Sequence, residues 1–366
     1  MRVRRIDSRQ GFEALAADWN CLAREGGQSS PFLSHDWFAC CWDAAPPSRR
    51  PEVLVVEDAA GPLAMVPLQR WRGSMHRAPI RVLGMLSAPD TAFTDWLIAG
   101  PPDPVVEAVL DELRRSRDWD VLDLSALPVD SATGKALETT LPGRFRWRRR
   151  ATVRSPLVSI AGSWEAYWTE KSQRFKKTIR SIRNRLAKAG AVSIQEYRQV
   201  SPDSSVFAEL VDVSRRSWKA SEGVAIATMP GMLDFFRSLS ERASRRGWLR
   251  VWILRLDGRA VATEYQLEAY GRVNALRADF DASLPEDLSP GSHLSCEILR
   301  TLFAREGVHE YDMGPGENPY KARWASGARE TIRLQIFRPG LYGTMVHGLE
   351  AWAVPALRRL LKRRER

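Results

Sequence analysis

The chain has 366 residues, of which 44% are hydrophobic and 14 are tryptophans, and its formal net charge is +11. This length predicts two domains or two fused halves with sizeable cores, and the positive charge predicts an anionic partner, such as a phosphorylated cofactor, an acidic lipid surface or a nucleic acid. The cysteines and histidines lack metal-ligand spacing, and the apolar runs are shorter than the roughly 20 residues that cross a bilayer, which argues against metal chemistry and membrane spanning.

The first half, residues 1–150, alternates helix and strand patterns. Apolar residues at helical spacing predict a first helix at 11–24, and a second helix is predicted to follow the capping residue Ser34. Strands are predicted at 52–57, 63–71, 81–86, 95–98 and 121–124, with a hairpin turn at 58–61 and a helix at 104–117. The arginine-rich segment 144–154 is predicted to be a crossover strand that leads into the second half.

The second half, residues 151–340, begins with a long helix at 164–190. One face of this helix carries Phe175, Ile179, Ile182 and Leu186, and the other face is strongly basic. Further elements are a strand at 192–197, helices at 206–219 and 229–246, antiparallel strands at 249–256, 260–267 and 272–280, a helix at 292–305, and strands at 309–313 and 330–337. The last strand is predicted to close the second sheet.

This order predicts an α/β (α+β) fold of two similar halves in tandem. Each half is expected to contain a mixed, mainly antiparallel sheet with helices on its faces. The third region, residues 341–366, combines helical spacing of apolar residues with a cluster of basic residues at its end. Such a segment either lies on an anionic membrane surface or packs as a helix on the core with a frayed tail.

The segment 311–324 is the strongest candidate for part of a functional site. A short strand ends at Asp312, a Gly-Pro-Gly turn follows, and Tyr320, Lys321, Arg323 and Trp324 come directly after it. Neither a helix nor a sheet continues through such a turn. A polar cluster delivered by a sharp turn is more typical of a site than of ordinary packing.

At this point the sequence resembles the GNAT-type N-acyltransferases of the CelD/BcsL group, which are related to the FemABX peptidyltransferases with two fused GNAT-like halves. The resemblance rests on the basic helix 174–183, on Asp281 with Ser289-Pro290-Gly291, and on Asp312-Met313-Gly314 followed by Tyr320-Lys321. It implies an acyl donor carried on CoA or on a carrier protein, and an amine or hydroxyl acceptor. FemABX relatives use aminoacyl-tRNA instead, so tRNA remains a subsidiary donor. Acyl-CoA is expected as a co-substrate, without a tightly bound cofactor.

The resemblance also implies where the donor binds. In such a sheet two central strands part, here predicted to be 260–267 and 272–280, and the donor's phosphates meet the start of the next helix. The residues assigned to donor binding are Ser289, Pro290, Gly291, Ser292, His293, Arg174 and Arg180. The alternatives are that the Ser-Pro-Gly turn is an ordinary loop and cap, and that the basic helix is a solvated face.

Three residues are assigned to catalysis. Glu264 is the candidate general base, Lys321 is expected to stabilise the oxyanion, and Asp281 is expected to position the substrate. The residues assigned to substrate binding are Asp279, Asp312, Tyr320, Arg323 and Trp324. The alternatives are a solvated strand face for Glu264, a surface lysine for Lys321, and turn capping for the aspartates.

The predicted function is transfer of an acyl group to an amine. The resembled family includes bacterial ceramide synthases, and together with the basic amphipathic tail this implies a sphingoid-type lipid amine as the preferred acceptor and a ceramide-like product. An acyltransferase acting on an exopolysaccharide or amino sugar, and a non-enzymatic polyanion or membrane adaptor, are the alternatives. Nucleic acid is not expected as a partner, because no aromatic interleaving accompanies the basic helix. The basic N-terminus lacks a long apolar core, so a cytoplasmic protein is expected, which could be peripheral at the inner face of the membrane.

Overall fold

The computed structural model describes residues 1–27 and 29–350. The described chain divides into two units. The first unit comprises residues 1–87, 93–152 and 330–350, and the second comprises residues 88–92 and 153–329. The predicted tail beyond residue 350 lies outside the described residues, so the membrane-binding expectation for it stays a prediction.

The elements are numbered in chain order. The strands are β1 (Arg2–Ile6), β2 (Arg50–Glu57), β3 (Pro62–Met75), β4 (Ala78–Met85), β5 (Leu97–Ile98), β6 (Val121–Pro128), β7 (Arg146–Ala151), β8 (Ser155–Ser159), β9 (Val192–Tyr197), β10 (Leu249–Leu256), β11 (Arg259–Ala269), β12 (Arg272–Phe280), β13 (Glu310–Asp312), β14 (Gly327–Arg329) and β15 (Thr331–Phe337). The helices are α1 (Arg9–Ala14), α2 (Ala16–Glu25), α3 (His35–Asp43), α4 (Pro102–Arg115), α5 (Ala132–Thr140), α6 (Trp164–Thr169), α7 (Gln173–Ala189), α8 (Ser205–Arg216), α9 (Trp218–Ser221), α10 (Met232–Arg245), α11 (Pro290–Phe303), α12 (Pro319–Trp324) and α13 (Leu341–Gly348).

The first unit is built on a sheet with the order β1-β2-β3-β4-β6-β15-β7, and β5 pairs with β3. Its strands are antiparallel except for β4 and β6, which run parallel. The apolar face of α4, including Val106, Val109 and Leu113, packs on this sheet in one hydrophobic core. None of the described helices is long and apolar enough to span a bilayer.

The strand β15 belongs to the first sheet, so the prediction that it closes the second sheet is wrong. It pairs with β6 on one side and with β7 on the other. Its alternate residues Ile332, Leu334 and Ile336 are buried in the core of the first unit. The alternation in the sequence indicates a half-buried strand, but it does not specify which sheet receives the strand. The second unit therefore ends at Arg329.

The second unit has a sheet with the order β14-β8-β13-β12-β11-β10-β9. Only β12 and β13 run parallel to each other in this sheet. The helices α7 and α11 share one hydrophobic core with one face of the sheet, and α8 and α10 contact the strands β10, β11 and β12. The antiparallel order β9-β10-β11-β12 agrees with the predicted succession of strands.

The single helix predicted at 164–190 is two helices in the structure, α6 and α7, and the predicted apolar stripe lies on α7. The Ser172 side chain accepts a hydrogen bond from the backbone N–H of Phe175 at 3.2 Å and caps the helix start. The stripe of Phe175, Ile179, Ile182 and Leu186 is buried in the core of the second unit. Because this stripe recurs every three to four residues, the basic residues between its members are left on the outer surface.

Candidate active site

The strands β12 and β13 part after a short paired segment. Their pairing covers only residues 272–274 of β12 and 310–312 of β13. Leu276 then forms a bulge in β12, because Tyr265 of β11 pairs with Arg277 while the next residue, Gln266, pairs with Ala275. A bulge bends its strand and is common beside active sites. The two parallel strands therefore separate, and the opening between β12 and β13 is the candidate active site.

The prediction that the opening lies between residues 260–267 and 272–280 is wrong. The strands β11 and β12 stay paired from Ala262–Phe280 to Ala269–Arg272. They form an antiparallel hairpin through Tyr270 and Gly271, whose short turn holds the two strands in register. The partners β12 and β13 are instead joined through α11 and are free to diverge.

Gly314 lies where the chain that follows β13 turns away from the neighbouring strand β12. Its φ of +77° lies in the left-handed region, and a Cβ atom at this position would lie 2.7 Å from the backbone oxygen of Ala275. Its N–H donates to Asp312 Oδ1 at 2.8 Å, and Arg329 Nε donates to Asp312 Oδ2 at 3.1 Å. Burial raises the pKa of Asp312, whereas the two hydrogen bonds and the positive charge of Arg329 act to lower it. The contacts of Asp312 are those of turn capping, the alternative to substrate binding.

Lys321 points back toward this turn. The side chain of Asn318 caps α12 by accepting from the N–H of Lys321 at 2.8 Å. The Lys321 Nζ donates to the backbone oxygens of Gly314 at 2.9 Å and Pro315 at 3.0 Å. Burial lowers the pKa of Lys321 to about 8, with Asp312 opposing and Lys219 reinforcing the shift. A half-buried ammonium bound to backbone oxygens is not an ordinary surface lysine.

Lys219 of α9 is a second lysine at the opening, and the sequence analysis missed it. Its Nζ donates to the backbone oxygen of Ala278 in β12 at 2.8 Å and lies 2.9 Å from Asp279 Oδ1. Its charge acts on Lys321 and Glu264. The two lysines therefore bind backbone oxygens on either side of the opening, Lys219 on β12 and Lys321 on the turn after β13. No local sequence pattern separates Lys219 from a surface lysine.

The aspartates at the end of β12 are neutralised by cations. Asp279 lies between Lys219 and Arg277, whose Nε donates to it at 3.0 Å. Burial alone would raise the pKa of Asp279, but these two cations outweigh burial and lower it. Asp281 pairs with Arg216 and with Arg259. It also accepts from the N–H of Ser283 at 3.0 Å, as a turn-capping residue does.

Glu264 is buried, and the alternative of a solvated strand face is wrong for it. Its side chain lies in the protein with only 2% of its surface exposed. Glu264 Oε1 accepts from the Tyr311 hydroxyl at 2.5 Å and from Gln266 Nε2 at 2.7 Å. Burial raises the pKa of Glu264, while the hydrogen bond from Tyr311 lowers it. Because Tyr311 belongs to β13, this pair connects β11 to the strand that borders the opening.

The three candidates on α12 after Pro319 have different environments. The Tyr320 hydroxyl donates to Ser295 Oγ and, at 3.4 Å, to the backbone oxygen of Gly291, so Tyr320 bridges α12 and α11. Trp324 has no exposed surface and packs on Trp168 and Phe175. It belongs to the hydrophobic core, which corrects its assignment to substrate binding. Arg323 is exposed.

The start of α11 contains the predicted phosphate cradle. Ser289 has a φ of +39° and precedes Pro290, the first residue of the helix. The N–H groups of Ser292 and His293 donate to the backbone oxygen of Ser289, at 3.0 and 3.4 Å. Gly291 lies against the ring of Phe280.

His293 is 7% exposed, and its Nδ1 has no hydrogen-bond partner among the described residues. Burial lowers the pKa of His293, and the nearby charge of Arg183 adds to this effect. Arg174 and Arg180 are exposed on α7. The contact from α7 to the segment before α11 comes instead from Arg185, whose Nε donates to the backbone oxygen of Asp287 at 2.8 Å.

Comparison with known proteins identifies the fold. Residues 173–322 match the family described as Acetyltransferase (GNAT) domain. The crystal structure of FemX superposes on this chain with a TM-score of 0.58 at 9% identity, and the match covers 94% of this chain and 98% of FemX. L-PGS from Bacillus licheniformis matches over 93% and 96% with a TM-score of 0.55 at 13% identity. A tandem GNAT protein from the clavulanic acid biosynthesis pathway matches over 93% and 100% with a TM-score of 0.51 at 12% identity. No curated protein matches the chain.

These comparisons confirm the predicted α/β fold with two GNAT-like halves in tandem. The matched segment begins in α7 and ends in α12, so it contains the opening between β12 and β13 and both lysines. The second unit therefore has a GNAT acyltransferase-like fold. At identities this low, the solved structures are evidence for the fold alone.

Proposed function

We propose that the second unit transfers an acyl group from a thioester to an amine in the opening between β12 and β13. The observation that carries this proposal is the separation of the two parallel strands after three paired residues, with a lysine bound to the backbone on each side. The match to an acetyltransferase domain supports the same class of reaction.

Two exposed residues of β12 form an accessible surface along one side of the opening. Most of β12 is buried, but Ala278 is exposed and Phe280 is 39% exposed. Both follow the bulge at Leu276, on the stretch of β12 that no longer pairs with β13. A pantetheine arm lying along this stretch would bring its thioester to the two lysines and its phosphates toward the start of α11.

Lys321 is suited to stabilise the oxyanion. An ammonium has three N–H donors, and Lys321 uses two of them on the oxygens of Gly314 and Pro315. The third is available for the oxygen of the tetrahedral intermediate. With a pKa of about 8, Lys321 is mostly protonated at neutral pH. A positioned donor of this kind contributes a factor of about 10²–10³ in rate.

Proton transfer completes the reaction. The amine nitrogen attacks the thioester carbon, the carbon–sulfur bond breaks, and the leaving thiolate takes up the proton that the base has removed from the amine, so the base is regenerated. The amine loses a proton to a general base, for which we propose Glu264. Glu264 and Tyr311 are both buried, and the Tyr311 hydroxyl donates to Glu264, so we propose that Tyr311 passes its proton to Glu264 and takes one from the amine. The raised pKa of Glu264 brings a carboxylate closer to the range in which a general base works best.

A lipid amine, with a sphingoid base as the first candidate, remains the acceptor that we propose. Phe280 is 39% exposed and Trp218 is 47% exposed, and Trp218 directly precedes Lys219. Exposed aromatic rings beside a polar site suit a ligand with an apolar chain and a polar head. The name of one structural neighbour, a lysylphosphatidylglycerol synthetase domain, also refers to a lipid.

Incubation of the purified protein with acyl donors and amine acceptors tests this proposal. Acetyl-, octanoyl- and palmitoyl-CoA are each combined with sphinganine or glucosamine, and amide products and released thiol are measured. We expect amine-dependent thiol release and an amide of sphinganine, with both reduced at least about 100-fold by Lys321→Met. Acylation of glucosamine alone would replace the lipid acceptor by an amino sugar. Turnover with aminoacyl-tRNA but not with any thioester would refute the proposed donor.

A further inference from the structure

The outer face of α7 carries unneutralised positive charge. The helix contains seven basic residues and no acidic one. Lys176 donates to the backbone oxygen of Thr169, and Arg185 is paired with Asp287. The side chains of the other five make no hydrogen bond or ion pair with residues 1–27 or 29–350; these are Arg174, Lys177, Arg180, Arg183 and Lys188. They are distributed over a helix of 17 residues, which is about 25 Å long.

Several other arginines of the second unit have carboxylate partners. Arg237 lies 2.7 Å from Asp203, Arg255 lies 2.6 Å from Glu209, and Arg305 lies 2.7 Å from Glu196. Like charges three or four residues apart on a helix repel each other, so the charge on α7 is unfavourable for the isolated protein. A negatively charged partner would relieve this repulsion and would be attracted to this face.

The basic face adjoins the end of the opening. The helix α7 packs on α11 and on the 3₁₀ helix Glu286–Leu288 that precedes it. Arg185 donates to the backbone oxygen of Asp287, and the charge of Arg183 acts on His293. A partner bound to α7 would therefore lie next to the helix start through which a pantetheine arm reaches β12 and β13.

The start of α11 is a limited site for the diphosphate of a free nucleotide cofactor. Pro290 has no N–H, and the N–H groups of Ser292 and His293 are bonded to Ser289. Glu286, which is exposed, lies just before the helix, where its carboxylate repels a second phosphate, whereas Asp287 is paired with Arg185. The single phosphodiester of a protein-bound pantetheine carries less negative charge than a diphosphate and needs fewer N–H donors from this turn.

The residues of α7 also distinguish among macromolecular partners. All of its large apolar side chains are buried in the core of the second unit, so the outer face has nothing to insert into a bilayer. It has no aromatic ring on which a nucleic acid base could stack. A row of cations on a straight helix is complementary to an acidic protein surface.

We propose that α7 docks an acidic acyl carrier protein, whose phosphopantetheine arm passes the start of α11 and delivers its thioester between β12 and β13. This inference rests on the proposed acyl transfer and names the donor for it. Carrier docking through exposed cations depends strongly on ionic strength, whereas binding of the pantetheine arm in the opening does not.

A charge-reversal variant tests the docking surface. The double variant Lys177→Glu/Lys188→Glu is compared with Arg114→Glu/Arg115→Glu, which makes the same change in net charge on the exposed face of α4. The ligands are an acidic acyl carrier protein that bears palmitoyl-phosphopantetheine through a non-hydrolysable amide, and the matching amide analogue of palmitoyl-CoA. Affinities are measured by fluorescence anisotropy at low and high salt, and circular dichroism verifies the fold of both variants.

We expect the α7 variant to lose about tenfold or more in affinity for the carrier protein relative to the CoA analogue. The α4 variant should bind the carrier as the unmodified protein does. Equal losses for both ligands, or equal losses in both variants, would overturn the inference. The same holds if tRNA or anionic vesicles bind through Lys177 and Lys188 while the carrier does not.

Turnover separates this inference from the function on which it rests. If palmitoyl-CoA supports amide formation while the carrier-bound thioester neither binds nor reacts, the acyl transfer stands and the docking inference fails. If no thioester supports turnover in the folded protein, the proposed function itself fails.

Discussion

Replacing Gly314 by alanine should destabilise the second unit more than the backbone conformation alone requires. Gly314 has a φ of +77°, and an added Cβ would lie 2.7 Å from the backbone oxygen of Ala275. The left-handed conformation costs a non-glycine residue about 1–2 kcal/mol. A contact with a backbone atom that cannot move aside adds about 1–3 kcal/mol. We therefore expect Gly314→Ala to lower the free energy of unfolding by about 2–5 kcal/mol.

Gly247→Ala is the matched control for this prediction. Gly247 has a φ of +72° and no heavy atom within 4 Å of an added Cβ, so only the conformational cost of about 1–2 kcal/mol applies. Urea unfolding of both variants, followed by circular dichroism, gives the two free energies. The activity of each variant is measured below its transition. Free energies of unfolding that agree within about 0.5 kcal/mol would refute the close approach of Gly314 to Ala275, and with it the described start of the opening.

Three further substitutions test two residues of the site and one residue of the neighbouring core. Since Lys321 has a pKa of about 8 and acts as an ammonium, turnover should fall above about pH 8, and Lys321→Arg should move this loss to higher pH in a pH–rate profile. Tyr311→Phe removes the proposed proton path and a hydrogen bond that lowers the pKa of Glu264, so turnover should fall and the remaining activity should be lost in acid from a higher pH, whereas Tyr265→Phe on the opposite face should change neither. Trp324→Ala should lower the free energy of unfolding by about 3–5 kcal/mol in urea titrations because Trp324 is a core residue; a near-neutral effect would contradict this assignment.

Local patterns in the sequence predicted most of the longer elements of the second unit, but not the short strands β8 and β14 or the short helix α12. The stripe from Phe175 to Leu186 predicts α7, and its burial in the structure follows from helical periodicity. The hairpin between β11 and β12 was also predictable, because its partners are adjacent in sequence. The placement of β15 was not, because it depends on pairing with β6 and β7 about 200 residues earlier. Patterning gives the type of an element, whereas long-range pairing decides its sheet.

The position of the opening illustrates the same limit. The sequence places Lys321 just after a glycine–proline turn, and in the structure Lys321 binds that turn. The parting of β12 from β13 depends on the bulge at Leu276 and on which strands are parallel. Neither feature has a sequence signal. Lys219 was missed for this reason, since only the course of β12 brings the oxygen of Ala278 within its reach.

The different partners of the two lysines imply different tasks. Lys219 lies 2.9 Å from a carboxylate oxygen of Asp279 and donates to the backbone oxygen of Ala278, so it holds the end of β12 in place. Lys321 is bonded instead to uncharged backbone oxygens, and it therefore keeps its net charge. Because Lys219 repels that charge and burial disfavours it, the pKa of Lys321 falls to about 8. Asp312 acts on Lys321 from a distance, but no carboxylate among the described residues is bonded to its ammonium. An oxyanion formed beside Lys321 would therefore gain a direct ionic contact that the bound substrate lacks, which is the condition for stabilising a transition state more than the substrate.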